Sequence, residues 1–101
     1  MLTQRPTLSD IEKARVRTKS IVKKTPILTS EYFNDLLGIK LFFKCENFQK
    51  TGSFKIRGAS NAVFSLTDDE AKQGVACQSS GNHGGAIACA AHLKGIHADI
   101  V

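Results

Sequence analysis

The chain has 101 residues, 42% hydrophobic and 23% charged, a composition that argues for one small globular domain and against a disordered or fibrous chain. Fourteen basic residues against nine acidic ones give a net charge of +5, but no basic–aromatic interleaving accompanies them, which argues against a nucleic-acid partner. Cys45, Cys77 and Cys89 form an odd, widely spaced set that fits neither a disulfide framework nor a CxxC metal site and suits a reducing, cytoplasmic compartment.

Ser9 and Glu12 make an S-x-x-E capping box, and Ile11, Ala14, Thr18 and Ile21 recur at helical spacing, which predicts a first helix over residues 10–21. Lys13, Arg15, Arg17, Lys19, Lys23 and Lys24 read as the solvated sides of that helix and its exit. Pro26 extends the backbone at Thr25. Ser30 caps a short helix carrying Tyr32, Phe33, Leu36 and Leu37, closed by Gly38 in the left-handed conformation. Residues 40–45, with Leu41, Phe42 and Phe43, read as a buried strand that includes Cys45. A polar loop follows over residues 46–52.

A second long helix is predicted from Ser53, with Phe54, Ala59, Ala62, Val63 and Leu66 on its buried side. Thr67 and Glu70 form another capping box, for a short helix ending at Gly74. Residues 75–78 read as a strand, 79–85 as a turn of small and polar residues, and 86–94 as an alanine-rich helix stopped by Gly95. The last residues, 96–101, read as a strand, so the sequence is expected to be part of a longer protein. No signal segment opens it and no apolar run is long enough to span a bilayer, so no membrane partner is expected. Alternating strands and helices predict an α/β fold with a parallel sheet and crossover helices.

In such folds ligands sit where the carboxyl ends of strands lead into helix N-termini. Two loops have that position. The first runs Glu46-Asn47-Phe48-Gln49-Lys50-Thr51-Gly52 into Ser53-Phe54-Lys55. A cation at a helix N-terminus opposes the macrodipole at a cost of about 0.3–1 kcal/mol, which suits a lysine that must act as a free amine; position alone, however, favours an ordinary surface lysine. The second loop is Ser79-Ser80-Gly81-Asn82-His83-Gly84. Its backbone N–H groups, unobstructed at Gly81 and Gly84, can meet an anion, and Ser80 and Asn82 add a hydroxyl and an amide. Alone it is also a polar capping turn. Neither a dinucleotide-binding G-x-G-x-x-G nor a phosphate-binding G-x-x-x-x-G-K-[ST] pattern is present.

Lys50-Thr51-Gly52-Ser53-Phe54-Lys55-Ile56-Arg57-Gly58-Ala59, followed by Ser79-Ser80-Gly81-Asn82-His83-Gly84 and preceded by Thr25-Pro26-Ile27-Leu28, resembles the serine racemase and threonine dehydratase group of fold-type II pyridoxal-phosphate (PLP) enzymes. The likeness runs from about residue 25 to 101. Gly85 departs from it, where many members carry glutamine. The resemblance implies a tryptophan synthase beta-like α/β fold, incomplete here, with residues 1–73 in a larger PLP domain and 74–101 opening a smaller one, and hence pieces of two sheets.

The resemblance also implies residue roles. Lys55 would hold the cofactor covalently and move a proton on one face of the substrate. Phe54 would pack beside the pyridine ring and Asn82 would bond its phenolic oxygen. Ser79, Gly81 and His83 would lie, with Ser80 and Asn82, in the loop receiving the substrate carboxylate. Ser80 would act on the opposite face. Some members bind ATP near residues matching Ser30, Lys50 and Thr51, and some are activated by Mg2+; no metal ligands are expected within this chain. The implied substrates are serine and threonine, with dehydration or racemisation as the outcome, and the whole protein is implied to be a homodimer. The glycine-rich phosphate loop of the family is absent from this sequence, so the isolated chain is expected to bind PLP poorly and to be inactive.

Two rival readings stand beside this one. The chain could be a truncated, non-catalytic product, or a β-replacement enzyme of the same fold such as cysteine synthase. His83, His92 and His97 lack metal-ligand spacing. Arg57 reads as either a phosphate ligand or a helix-surface ion pair.

Overall fold

The computed structural model describes residues 4–101. Its first helix, α1 (Leu8–Thr18), starts two residues before the predicted one. Thr7, not Ser9, is the cap: its hydroxyl accepts the Asp10 N–H at 3.3 Å, and the Asp10 carboxylate accepts the Thr7 N–H at 2.8 Å. Both hydroxyls have an acid three residues on, but the earlier start adds helical bonds once the nucleus exists. The helix also stops earlier, at Thr18, whose hydroxyl bonds back to the Ala14 carbonyl at 2.9 Å. The chain then turns, with Ile21 and Val22 N–H groups both donating to the Thr18 carbonyl.

β1 (Ile27–Leu28) leads to α2 (Glu31–Leu37), where Ser30 accepts the Phe33 N–H at 3.3 Å and Gly38 closes the helix at φ 65°. β2 (Phe43–Lys44) then pairs antiparallel with β1, in the register Ile27 with Lys44 and Leu28 with Phe43. The predicted buried parallel strand over 40–45 is thus two residues long and antiparallel. Phe42 is 69% and Phe43 43% exposed. The run is apolar enough for a core strand, but among the described residues it is only partly covered, with the Phe33 ring beside Phe43.

Two 3-10 turns, Glu46–Phe48 and Lys50–Gly52, carry the chain into α3 (Lys55–Phe64). α4 (Asp68–Gln73) has the capping box read from the sequence, Thr67 with Glu70. β3 (Val75–Cys77), α5 (Asn82–Lys94) and β4 (Ala98–Ile100) form a strand–helix–strand unit in which β3 and β4 run parallel, Val75 beside Ala98 and Cys77 beside Ile100. The two strand pairs are separate sheets. α5 starts at Asn82, four residues before the predicted helix, because Gly84 and Gly85 of the small-residue turn take helical geometry in its first turn while Gly81 caps it; Gly95 ends it at φ 75°.

The core lies between α3 and α5. Ile56, Ala59 and Val63 of α3 meet Ala86, Ile87 and Ala90 of α5, all nearly inaccessible. Alanines on α5 let the two helices approach closely. The buried face of α3 is Ile56, Ala59, Ser60 and Val63. Phe54 and Ala62, predicted to be buried, are exposed, and Leu66 is only partly covered. Phe54 precedes the helix at its cap position and so falls out of phase. α1 lies against α3, where Arg17 donates to the Asn61 side-chain oxygen. Among the described residues no helix is long and apolar enough to cross a membrane. Cys45, Cys77 and Cys89 are free and partly buried.

Candidate active site

Lys55 is the first residue of α3, and that turn contains no acid. Its side chain is exposed, with Nζ 5.3 Å from the centre of the exposed Phe54 ring, a cation over an aromatic face. The Ser53 hydroxyl accepts the Lys55 N–H at 3.4 Å. Just upstream, Thr51 has φ 67° and Gly52 φ 78°. A β-branched residue in the left-handed region is an uncommon and costly conformation.

Two tethers hold this segment. Glu46, at its start, pairs with Arg57, two residues past Lys55: the guanidinium donates through Nε and, at 3.1 Å, through a terminal nitrogen. The Thr25 hydroxyl also donates to Glu46, and Lys44 Nζ donates to the Thr25 carbonyl at 2.8 Å. The Arg57 guanidinium holds the Glu46 carboxyl well below its ordinary range, at about 2. Arg57 is therefore an ion-pair partner here. The second tether is Gln49, 3% exposed. Its side-chain oxygen accepts the N–H of Lys23 at 2.7 Å and of Lys50 at 2.9 Å, and its amide donates to the Lys23 carbonyl at 2.8 Å. Sequence reasoning passed over Gln49, Thr25 and Glu46, because a glutamine in a polar loop carries no sign of burial.

The second loop follows β3. The Ser79 hydroxyl oxygen accepts the N–H groups of Gly81 at 3.3 Å and Gly84 at 3.1 Å. Those two donors, expected to face an anion, are thus used within the loop. The N–H groups of Asn82 and His83 have no acceptor among the described residues. Gly84 is required by packing: a Cβ there would sit 2.3 Å from the Ser79 carbonyl oxygen and 3.0 Å from Ile100 Cγ2. A Cβ at Gly85 would meet nothing within 4 Å, so the position where this chain departs from the expected family pattern is not held to glycine by packing. Ser80, Asn82 and His83 are all exposed.

The Lys50–Gly52 turn packs against α5, the helix that Asn82 and His83 open, so the two loops belong to one region. Lys50 and Thr51 lie in that turn. Ser30 caps α2 instead, in the unit built on β1 and β2. A cleft of about 610 Å3 between α1 and the start of α3 is lined by Arg15, Lys19, Lys23 and Lys24 with Lys44 and Arg57, and includes none of Lys55, Ser80 or Asn82. No cluster of His, Cys, Asp and Glu fit to hold a metal occurs among the described residues.

The donor set fits the reactive end of a pyridoxal ring: an exposed primary amine beside an aromatic face, and a helix-opening amide reached from a tightly folded serine loop. No glycine-rich cradle for a phosphate accompanies it among the described residues.

Residues 18–101 match the pyridoxal-phosphate dependent enzyme family, and the chain belongs to it. The fold is that of the fold-type II members. The chain is 53% identical over 96 residues to the beta-hydroxyaspartate dehydratase of Paracoccus denitrificans (strain Pd 1222), covering 95% of this chain and 30% of that protein. It is 54% identical over 94 residues to the serine racemase of Oryza sativa subsp. indica, covering 93% of this chain and 28% of that one. The solved structure of maize serine racemase superimposes with a TM-score of 0.89 at 49% identity, over 92% of this chain and 29% of that one. The chain thus spans about 30% of the length of the curated relatives it matches.

Proposed function

We propose that the protein acts on β-hydroxy amino acids, serine and threonine among them, removing the α-proton and then either eliminating water or returning the proton to the opposite face. The observation that carries this reading is Lys55: an exposed amine at the head of α3, beside Phe54, on a segment tethered at both ends. PLP, when bound, supplies the electron sink that stabilises charge at the substrate α-carbon.

In this reading Lys55 holds the cofactor covalently and carries a proton to and from the α-carbon on one face. Phe54 flanks the ring, and Asn82 donates to its phenolic oxygen. Ser79 shapes the carboxylate-receiving loop by fixing Gly81 and Gly84, so the donors to the substrate are the N–H groups and side chains of Asn82 and His83. The Ser80 hydroxyl holds and returns a proton on the opposite face. The racemase and dehydratase relatives support both outcomes.

For the whole protein, residues 1–73 belong to the larger domain and 74–101 open the smaller one, with the α3–α5 core at their joint. A homodimer, a cytoplasmic location consistent with three free cysteines, and activation by Mg2+ and by ATP near Ser30, Lys50 and Thr51 complete the proposal.

Borohydride trapping of the naturally expressed protein with PLP, followed by peptide mapping, tests it. A pyridoxyl group on Lys55 is expected, together with turnover of L-serine, D-serine or L-threonine. A protein that takes no label at Lys55 overturns the reading.

A further inference from the structure

We infer that Gln49 is a positioning residue for Lys55: it holds the left-handed turn at Thr51 that delivers the lysine to the site. The inference rests on the reading of Lys55 as the cofactor lysine. Gln49 stands between the two 3-10 turns, and both its backbone and its side chain grip the second one. Its carbonyl accepts the Gly52 N–H at 2.8 Å, while its side-chain oxygen accepts the Lys50 N–H at 2.9 Å. Thr51, between those two donors, has φ 67° and ψ 7°. That conformation is unfavourable for threonine and persists only where its surroundings impose it.

The far end of the grip is anchored outside the loop. Gln49 exchanges two hydrogen bonds with the backbone of Lys23, 26 residues earlier, at 2.7 and 2.8 Å. The side chain is 3% exposed, so none of these bonds is freely exchanged for water. The turn is thus fixed against the exit of α1, and the chain reaches Lys55 three residues after Gly52. The Glu46–Arg57 pair closes the same segment from its other side. A glutamine suits the place because the task needs an acceptor for two N–H groups and a donor to one carbonyl, all neutral and nearly out of water.

The test compares three variants of the whole, naturally expressed protein: Gln49→Met, Gln49→Glu and Gln49→Met/Thr51→Gly. Methionine removes all three side-chain bonds. Glutamate keeps the two accepted bonds and loses the one donated to Lys23, so it remains measurable if the methionine variant fails to fold. Glycine at 51 adopts positive φ without the side-chain penalty.

Two readouts are taken on each variant: amide hydrogen exchange of the cofactor-free protein, and the rate of pyridoxyl labelling of Lys55 with PLP and borohydride. Exchange at Lys50 and Gly52 is expected to rise about tenfold or more in Gln49→Met, as for loss of hydrogen bonds of ordinary strength, while the buried amides of α3 and α5 keep their protection. Labelling of Lys55 is expected to slow about tenfold. Gln49→Glu is expected to lie between, and Thr51→Gly is expected to recover most of the lost labelling rate.

Unchanged exchange at Lys50 and Gly52, equal loss of protection throughout α3 and α5, or no recovery with glycine at 51 each overturns the inference. Absence of label on Lys55 in the unaltered protein overturns the cofactor reading instead, and the two failures are thereby separate.

Discussion

The carboxylate of Glu46 is held by the Arg57 guanidinium and the Thr25 hydroxyl, and that dictates a pH dependence. Its folded-state value, about 2 against an ordinary 4.5, is depressed, so the pair stabilises the fold above the ordinary carboxylate range. That contribution is lost as pH falls from about 4.5 toward 2. With Arg57 partly in water, it amounts to about 2 kcal/mol. Glu46→Gln is expected to flatten the acid limb of a urea-denaturation stability profile. Some slope remains, because the backbone N–H groups of Thr7 and Thr67 lower Asp10 and Glu70 in the same direction. At Ser80 the expectation is a split in outcome. Ser80→Ala should reduce racemisation of serine by about 100-fold or more, the scale of a lost acid–base group, and leave dehydration of one serine enantiomer within a few-fold. Equal loss of both activities would place Ser80 in binding instead. Gly84→Ala should destabilise by about 1–3 kcal/mol, since its Cβ cannot clear the Ser79 carbonyl, and thermal melting reads that directly.

At the scale of elements, the caps separate two sequence patterns that look equivalent. Thr7→Ala should cost about 1 kcal/mol and Ser9→Ala much less, because Thr7 makes the capping bonds. Ile56→Ala should cost about 2–5 kcal/mol, since Ile56 is fully buried in the α3–α5 core; chemical denaturation of both variants against the unaltered protein checks the pair. Most elements could be read from the sequence because their signals are local. Ser30, Gly38, Thr67 with Glu70, and Gly95 all sit where the reading placed them. The failures are non-local. Leu41, Phe42 and Phe43 are apolar enough for a core strand, but burial depends on what covers them. The candidate residues in the two loops were legible as motifs, whereas the bonds that shape those loops were not. Gln49 reaches Lys23 across 26 residues and Glu46 reaches Thr25 across 21, and no pattern along the chain announces such pairs.

The whole molecule is elongated, with extents of 54 × 30 × 27 Å and a radius of gyration of 16.6 Å, against about 13 Å for a compact domain of this size. Among the described residues the consolidated core is the α3–α5 contact. The unit built on β1, α2 and β2 presents Tyr32, Phe33, Leu36, Phe42 and Phe43 to solvent, with the Phe33 and Phe43 rings 6.2 Å apart. An exposed apolar surface of that kind drives association. The isolated 101-residue chain is therefore expected to self-associate in light scattering, and the double variant Leu36→Lys/Phe42→Lys to remain monomeric at the same concentration. No turnover of serine or threonine is expected from that isolated chain, and measurable turnover would overturn the need for further polypeptide.

The hydrogen bonds that close β3 on β4 also impose an order in time. Ser79 donates its N–H to the Val101 carbonyl at 2.8 Å, and Val101 returns one to Cys77 at 3.0 Å. Ser79 in turn gathers Gly81 and Gly84. A chain leaves the ribosome N-terminus first, at roughly 5–20 residues per second. The loop of residues 79–84 therefore emerges about one to four seconds before the residue that braces it, and until Val101 arrives the Ser79 N–H lacks its β4 partner. The helix that carries Lys55 can pair with α5 before that moment. In this order of emergence the partners of the lysine helix are available first, and the bonds that brace the loop from β4 can form only once the end of that strand has emerged.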